Sequence, residues 1–360
     1  MIGGNSMLYR ENGQFKTRYV DDAQIFPIRQ DRLFIGAVLL IAFVAVPLLG
    51  SDYLLRALLV PFLILALAAI GLNVLVGYCG QISLGTGAFM AVGAYAAFNL
   101  MVRLPGMPLL IALVLAGLIA ALAGMVFGLP SLRIRGLYLA VATLAAQFFS
   151  DWVFAHVPWL TNGSSSGSVT APQLQVFGFV IDSPIRKYLF CLAILSVLAL
   201  LVKNLVRGRK GREWMATRDM DVAASVIGIS PVRAKLSAFA VSSFIVGIAG
   251  ALWAFVHLGS WEPAAFNIDL SLKLLFMIII GGLGSVMGSL FGAAFIVLLP
   301  IFLNRLPSIL GLQASTSFVS HLELMTFGVL IVLFLIAEPH GMARLWSTAK
   351  NKLRLWPFPH

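Results

Sequence analysis

Few residues in this chain have the types and spacing that chemistry needs. The five histidines, His156, His257, His321, His340 and His360, stand apart. None forms the His-Glu-x-x-His pattern that places two zinc ligands on one helix face. His321 and Glu323 are two positions apart, hence on different faces of a helix. No Gly-x-x-x-x-Gly-Lys-Ser/Thr phosphate loop occurs. Cys79 and Cys191 sit in apolar or Gly-rich sequence without metal-ligand spacing, and read as small core residues. An enzyme is therefore not expected, and any ATP hydrolysis must belong to another chain. Three stretches carry the remaining signal. Two are Gly-rich, Gly77–Gly87 and Gly281–Gly288, and one is a charged loop, Thr217–Pro231.

The elements around them must be membrane helices. Of 360 residues, 60% are hydrophobic and 11% charged, and the mean hydropathy is +0.97. Soluble domains average about 45–50% apolar and about 25% charged residues. Apolar runs of ~18 residues or more recur, each long enough to cross ~30 Å of hydrocarbon. The fold class expected is an all-α polytopic membrane protein, without the period-2 alternation of a membrane β-barrel. The net charge of +11 reads as the Lys/Arg bias of cytoplasmic loops, not as a nucleic-acid surface.

Spans are expected at about 33–50, 53–76, 84–102, 107–129, 137–154, 186–206, 236–258 and 322–337. Residues 1–32 form a polar tail and 338–360 a basic tail with Trp346 and Trp356 as interfacial anchors. The first apolar run reads as a retained anchor, not a cleaved signal. The Lys/Arg-free segment 156–184 should face outward. Segment 207–235, Arg133/Arg135 and the C-terminal tail should be cytoplasmic. The permease-like body thus spans 33–337. One straight helix over 272–302 would be ~45 Å long, so a break at Gly281–Gly284 is expected. That gives about ten transmembrane or re-entrant helices with both ends cytoplasmic.

Irregular backbone at membrane depth is tolerated only where protein or a water-filled cavity covers it. The two Gly-rich interruptions follow one apolar run and precede another, an arrangement that points to a transport pathway. Candidate pathway residues are Asn73, Gly80, Gln81, Ser83, Gly85, Thr86, Gly281, Gly284 and Ser285. The alternative is that the glycines only permit close helix packing. Asp151, Arg186, Lys187, Lys273 and Glu323 all fall near expected span ends, which argues against an ion-coupled carrier. In the loop, Asp219 can cap a helix with Asp221 in its first turn. Val222, Val226 and Ile229 make an apolar stripe, with Ala223 and Ile227 beside it, and Gly228 and Pro231 stop the helix. This short amphipathic helix either docks on a partner or lies on the membrane or on the protein's own surface.

The Asp221–Ile229 segment resembles the Glu-Ala-Ala…Gly loop of ABC importer permeases, with Asp221 at the usual Glu position. Gly71–Gly85, Leu132–Leu144, Gly281–Ser285 and Glu338–Gly341 resemble the branched-chain amino-acid permeases of that family, in order and over most of the chain. Thr86 stands where many members have His, and many members carry an acidic residue near Lys273. The outer segment 160–167 keeps only part of the family's Thr-Gly-Gly-rich pattern. Urea and amide permeases share the architecture. The resemblance implies a subunit of the cytoplasmic (inner) membrane of a prokaryote, importing leucine, isoleucine or valine. It implies two ATP-binding subunits that hold ATP and Mg, a second homologous permease and a periplasmic or surface substrate-binding protein. No cofactor is expected on this chain. Asp219, Asp221, Ala223, Ala224, Gly228 and Ile229 would couple it to the ATPase, and segments 156–184 and 259–271 would dock the binding protein. An ion-coupled carrier or channel is the competing class.

Overall fold

A computed structural model describes residues 29–104, 106–132, 137–164, 166–176, 179–309 and 341–355, with scattered positions between 322 and 336. The N-terminal tail up to residue 28, Arg133/Arg135, the 310–321 connector, most of the last expected span and Trp356 lie outside the described residues.

Helix α1 runs from Arg29–Leu40 through a wide turn, Ile41–Ala45, to Val46–Leu49. Helix α2 comprises Leu54–Leu59, Val60–Asn73 and Val74–Tyr78, the first and last parts being wide π-type turns. Pro61 is accommodated because it stands second in the regular part, where its missing N–H follows the looser turn. Then come α3 (Thr86–Arg103), α4 (Leu109–Gly128), α5 (Leu137–His156) and α6 (Pro184–Arg207). Helix α7 (Arg209–Val226) lies in the basic segment, and α8 joins Pro231–Leu252 to a wide-turn end, Trp253–Leu258. Helices α9 (Ile268–Gly281), α10 (Val286–Ile309) and α11 (Gly341–Leu355) complete the described chain. Two-residue strands β1 (Val169–Thr170) and β4 (Ser260–Trp261) pair antiparallel and join segments 156–184 and 259–271, while β2 (Gln175–Val176) pairs with β3 (Phe179–Val180).

Among the described residues, eight helices are long and apolar enough to cross a membrane. The expected break in 272–302 is present. Helix α9 ends at Gly281, Gly282 and Gly284 take φ of 121° and 73°, and α10 begins at Val286. Two expectations need correction. Pro231 starts α8 as its first residue and does not merely stop the preceding helix, as suits a residue without an N–H. Lys273 is not at a span end, because α9 begins at Ile268, where Asn267 accepts a cap bond from Leu270 N at 3.1 Å.

Helices α2 and α8 form the centre. Nearly every residue from Val60 to Tyr78 is buried, consistent with a helix that is apolar all round. Helices α1, α4 and α6 instead expose Leu48, Leu49, Leu122, Val126 and Val197, faces suited to lipid. Helices α3, α4 and α8 meet through small residues. A Cβ on Gly93 would collide with the Gly247 backbone, and one on Gly247 with the Cβ of Ala120. Such contacts let membrane helices approach closely. Gly247→Leu is expected to cost at least ~1–3 kcal/mol through overpacking. Gly36→Leu, whose added side chain starts in open space, should leave thermal unfolding of the detergent-purified chain unchanged. Equal melting of the two variants would contradict this packing.

Candidate functional site: the joined glycine breaks and the basic loop

The two Gly-rich interruptions, more than 200 positions apart in sequence, touch. A Cβ on Gly77 would overlap both Asn73 Oδ1 and the amide of Gly284. Asn73 holds the junction. Its Nδ2 donates to Ser289 Oγ (2.8 Å), Ser285 O (3.0 Å) and Gly282 O (3.3 Å), and its Oδ1 accepts from Gly284 N (2.9 Å). The Asn73 side chain is buried and its amide is fully occupied in this state. Ser285 belongs to the same knot, its Oγ accepting from Gly288 N at 3.0 Å. Gly281 packs against the backbone of Gly288, where no side chain fits. Gly80 takes a φ of 70° and turns the chain out of α2, and Gln81 Nε2 reaches Cys79 O at 3.4 Å.

Residues 80–85 then lead, without regular secondary structure, to the start of α3. That helix is 18 residues long, about 27 Å at 1.5 Å per residue. Its far end carries Arg103, whose guanidinium lies 3.7 Å from the Trp159 ring centre and bonds Trp159 O. The Thr86 end is therefore deep in the protein. Its exposed-backbone problem is met by side chains of neighbouring helices. Leu84 N donates to Thr143 Oγ1 (2.9 Å), Gly87 N to Ser271 Oγ (2.8 Å) and Ala88 N to Gln147 Oε1 (2.7 Å). Gly85 abuts the Thr143 backbone. Gln147, fully buried, also accepts from Ser271 Oγ (3.1 Å) and donates to Phe266 O (2.7 Å) and Asp151 Oδ1 (3.1 Å). Ser83 Oγ and Thr86 Oγ1 are buried without a hydrogen-bond partner among the described residues, an unfavourable state for a hydroxyl. On α9, Asp269 is exposed and Lys273 partly buried, four residues apart on one face of a helix otherwise apolar enough to span.

The basic loop packs under this junction. Trp214 is buried, its Nε1 donating to Ser237 Oγ at 2.9 Å, and fixes α7 to α8. Lys210, and to a lesser extent Arg209, hydrogen-bond Glu213 and hold its carboxyl below the ordinary value. With Arg209 88% exposed, such surface pairing contributes at most about 1 kcal/mol. Helix α7 is broken at Met220 (φ −159°, ψ 97°). Asp219 does not cap the following turn. Its carboxylate instead pairs with Arg218, at 2.8 Å from Nη2. Asp221 Oδ2 lies 4.0 Å from the buried Lys235 Nζ. Ala224 faces inward, while Val222, Ala223, Val226 and Ile227 face outward. Ile229 leaves the expected stripe, because Gly228 (φ 87°) reverses the chain and Ile229 N bonds back to Ala224 O at 2.9 Å. The C-terminal helix α11 begins at the break between α9 and α10. Gly341 packs on Gly282, and Trp346 lies between Phe34 (6.1 Å) and Phe291 (5.8 Å).

Sequence reading singled out the glycines and Asn73 but not their partners. Arg218 reads as one of the cations of the basic segment, Gln147 falls inside an expected span, and Ser271 closes the expected 259–271 segment, whereas the structure places it within α9. Gln147 as an amide within an apolar run was the available signal. A mostly apolar cavity of about 560 Å³ lies elsewhere, between α3, α4 and α5, bounded by Tyr95, Phe127, Phe149 and Trp159.

Residues 54–337 match the profile of a family described as branched-chain amino acid transport system, permease component. The chain is 32% identical over 338 residues to the high-affinity branched-chain amino acid transport system permease protein LivM of Salmonella typhimurium, covering 87% of this chain and 75% of that one. It is 24% identical over 243 residues to a probable branched-chain amino acid transport permease protein LivM of Methanocaldococcus jannaschii, covering 65% and 68%. It is 33% identical over 135 residues to the fructose import permease protein FrcC of Rhizobium meliloti, covering 35% and 36%. No solved structure gave a significant match. The chain is a multi-pass membrane protein and belongs to the branched-chain amino acid transport system permease family.

Proposed function

We propose that this chain is the permease subunit of an ATP-driven importer in the cytoplasmic membrane of a prokaryote, carrying branched-chain amino acids. The observation that carries the reading is the solvent-facing apolar turn Met220, Val222, Val226 and Ile227 in the basic loop, 64%, 64%, 82% and 72% exposed. A short helix held this way offers its apolar face to a groove on a partner. The partners are two ATP-binding subunits carrying ATP and Mg, a second homologous permease and a substrate-binding protein on the outer side. Asp219, Asp221, Ala223, Ala224, Gly228 and Ile229 shape the docking turn. Closure of the ATP-binding subunits moves that turn and re-sets the bundle between inward-open and outward-open states.

The pathway runs along the glycine breaks. Support comes from the unpaired Ser83 and Thr86 hydroxyls, and from Asp269 and Lys273 on an outward face of α9. Ionisable groups on a spanning helix belong at a protein interface or a watered cavity. Asn73, Gly281, Gly284 and Ser285 hold the breaks together in this state, and Gly80, Gln81 and Gly85 shape the segment between them. A related solute, such as urea or an amide, fits the same architecture.

The test is mild-detergent purification of the chain from its native membrane, with mass spectrometry of what remains bound. Recovery of ATP-binding subunits and a second permease is expected. Recovery of the chain alone, beside a control ABC complex that survives, would overturn the proposal in favour of a carrier or channel.

A further inference from the structure

We infer that Arg218 is the positioning residue through which movement of the basic loop reaches the joined glycine breaks. The inference rests on the importer reading above and adds a specific mechanical link to it. Arg218 stands two residues before the Met220 break in α7. Its guanidinium is split between two bodies. Nη1 donates to Gly77 O at 2.8 Å, while Nε and Nη2 hold Asp219 Oδ1 at 2.9 and 2.8 Å. Its stem lies over the turn that leaves α2, with Cγ 2.7 Å from where a Gly80 Cβ would stand, and Nη1 is 3.7 Å from the same point on Gly284.

The carbonyl it binds needs a partner. Helix α2 ends in a wide turn, in which Gly80 N returns to Val76 O and Gln81 N to Leu75 O, both at 3.1 Å. Gly77 O takes no part in those closing bonds, and a cation at a helix C-terminus is electrostatically favoured there. Gly77 in turn touches Gly284, whose N–H donates to Asn73 Oδ1 on α2, and Asn73 Nδ2 donates to Ser289 Oγ on α10. A continuous path of contacts therefore runs from the docking turn through Asp219 and Arg218 to the point where α2 meets α9 and α10. Packed networks with discrete arrangements transmit such movements. The Asp221–Lys235 pair and buried Trp214 anchor the loop to α8 separately. Removing the Arg218 side chain should therefore leave the loop folded and its partner bound.

The experiment uses the whole importer, reconstituted with its ATP-binding subunits, second permease and binding protein, and compares wild type with R218A and R218K. Leucine uptake and ATP hydrolysis are measured in the same vesicles. For R218A, solute moved per ATP hydrolysed is expected to fall about tenfold or more, the scale of losing a charge-assisted hydrogen bond. Subunit recovery should stay at the wild-type level. R218K keeps the charge and one bond to Gly77 O but cannot span both partners, so an intermediate ratio is expected. A wild-type ratio in R218A overturns the inference. So does a variant that loses its ATP-binding subunits, since Arg218 would then serve docking alone. A wild-type assembly with no ATP-dependent uptake would instead sink the importer reading, and this inference with it.

Discussion

Asn73→Asp is expected to destabilise the detergent-purified chain and to stop uptake, although it changes hardly any volume. The wild-type amide donates to two carbonyls and a hydroxyl and accepts from one N–H. A carboxylate retains the Gly284 N–H but faces Gly282 O and Ser285 O as acceptor against acceptor. Asn73→Leu removes the repulsion and leaves Gly284 N–H and Gly282 O unpaired in a buried site, at ~1–3 kcal/mol each. Ser289 Oγ keeps its alternative bond to Ser285 O at 3.3 Å, so it adds little to the loss. Both variants should melt about 5 °C or more below wild type, with the break between α9 and α10 as the first region to exchange its amide hydrogens. A wild-type melting curve for Asn73→Asp would show that the junction contributes nothing to stability.

Val226→Asp combined with Ile227→Asp is the second large effect, and it should appear in assembly and not in folding. Both side chains are mostly exposed, so the isolated chain should lose no more than ~0.5 kcal/mol. Placing two carboxylates in a docking groove removes apolar contact and introduces buried charge. A hot-spot loss of at least ~2 kcal/mol, about thirtyfold in affinity, is expected. The measurement is the amount of ATP-binding subunit recovered with the purified permease. Unchanged recovery would return the turn to the membrane surface.

The span positions were largely legible because hydrocarbon thickness imposes one length on every crossing and leaves a long apolar run as its trace. Expected ends such as Leu137, Val206 and Leu258 differ by no more than a residue or so from the helices observed. The basic loop is legible for the same reason, since a run of charges is too costly to place within a span. The failures share a cause. Pro231 could end one helix or begin the next, and only the chain's continuation into α8 decides it. Lys273 reads as terminal when apolar sequence is counted from Leu272, whereas α9, capped by Asn267, starts four residues earlier at Ile268. The stripe through Ile229 assumed that helical periodicity persists across Gly228, where the chain reverses. At the site, the glycine clusters announced irregular backbone but not their mutual contact. Nothing local marks Gly77 as the neighbour of Gly284, or Arg218 as the cation that meets Gly77 O. Those pairings arise from packing between distant segments.

The backbone contact between Gly77 and Gly284 also limits how such a chain can drift. In an ordinary core, a residue that grows can be offset by a neighbour that shrinks. Here neither partner has anything left to remove, since a Cβ at position 77 already overlaps the amide of 284. Position 77 should admit no side chain for want of space, and position 284 is held to glycine by its φ of 73°, while the adjacent Leu283, 49% exposed, should accept many side chains. A saturation library of the two positions selected for uptake should return glycine at both, and compensated pairs among the survivors would show that the contact can be rebuilt.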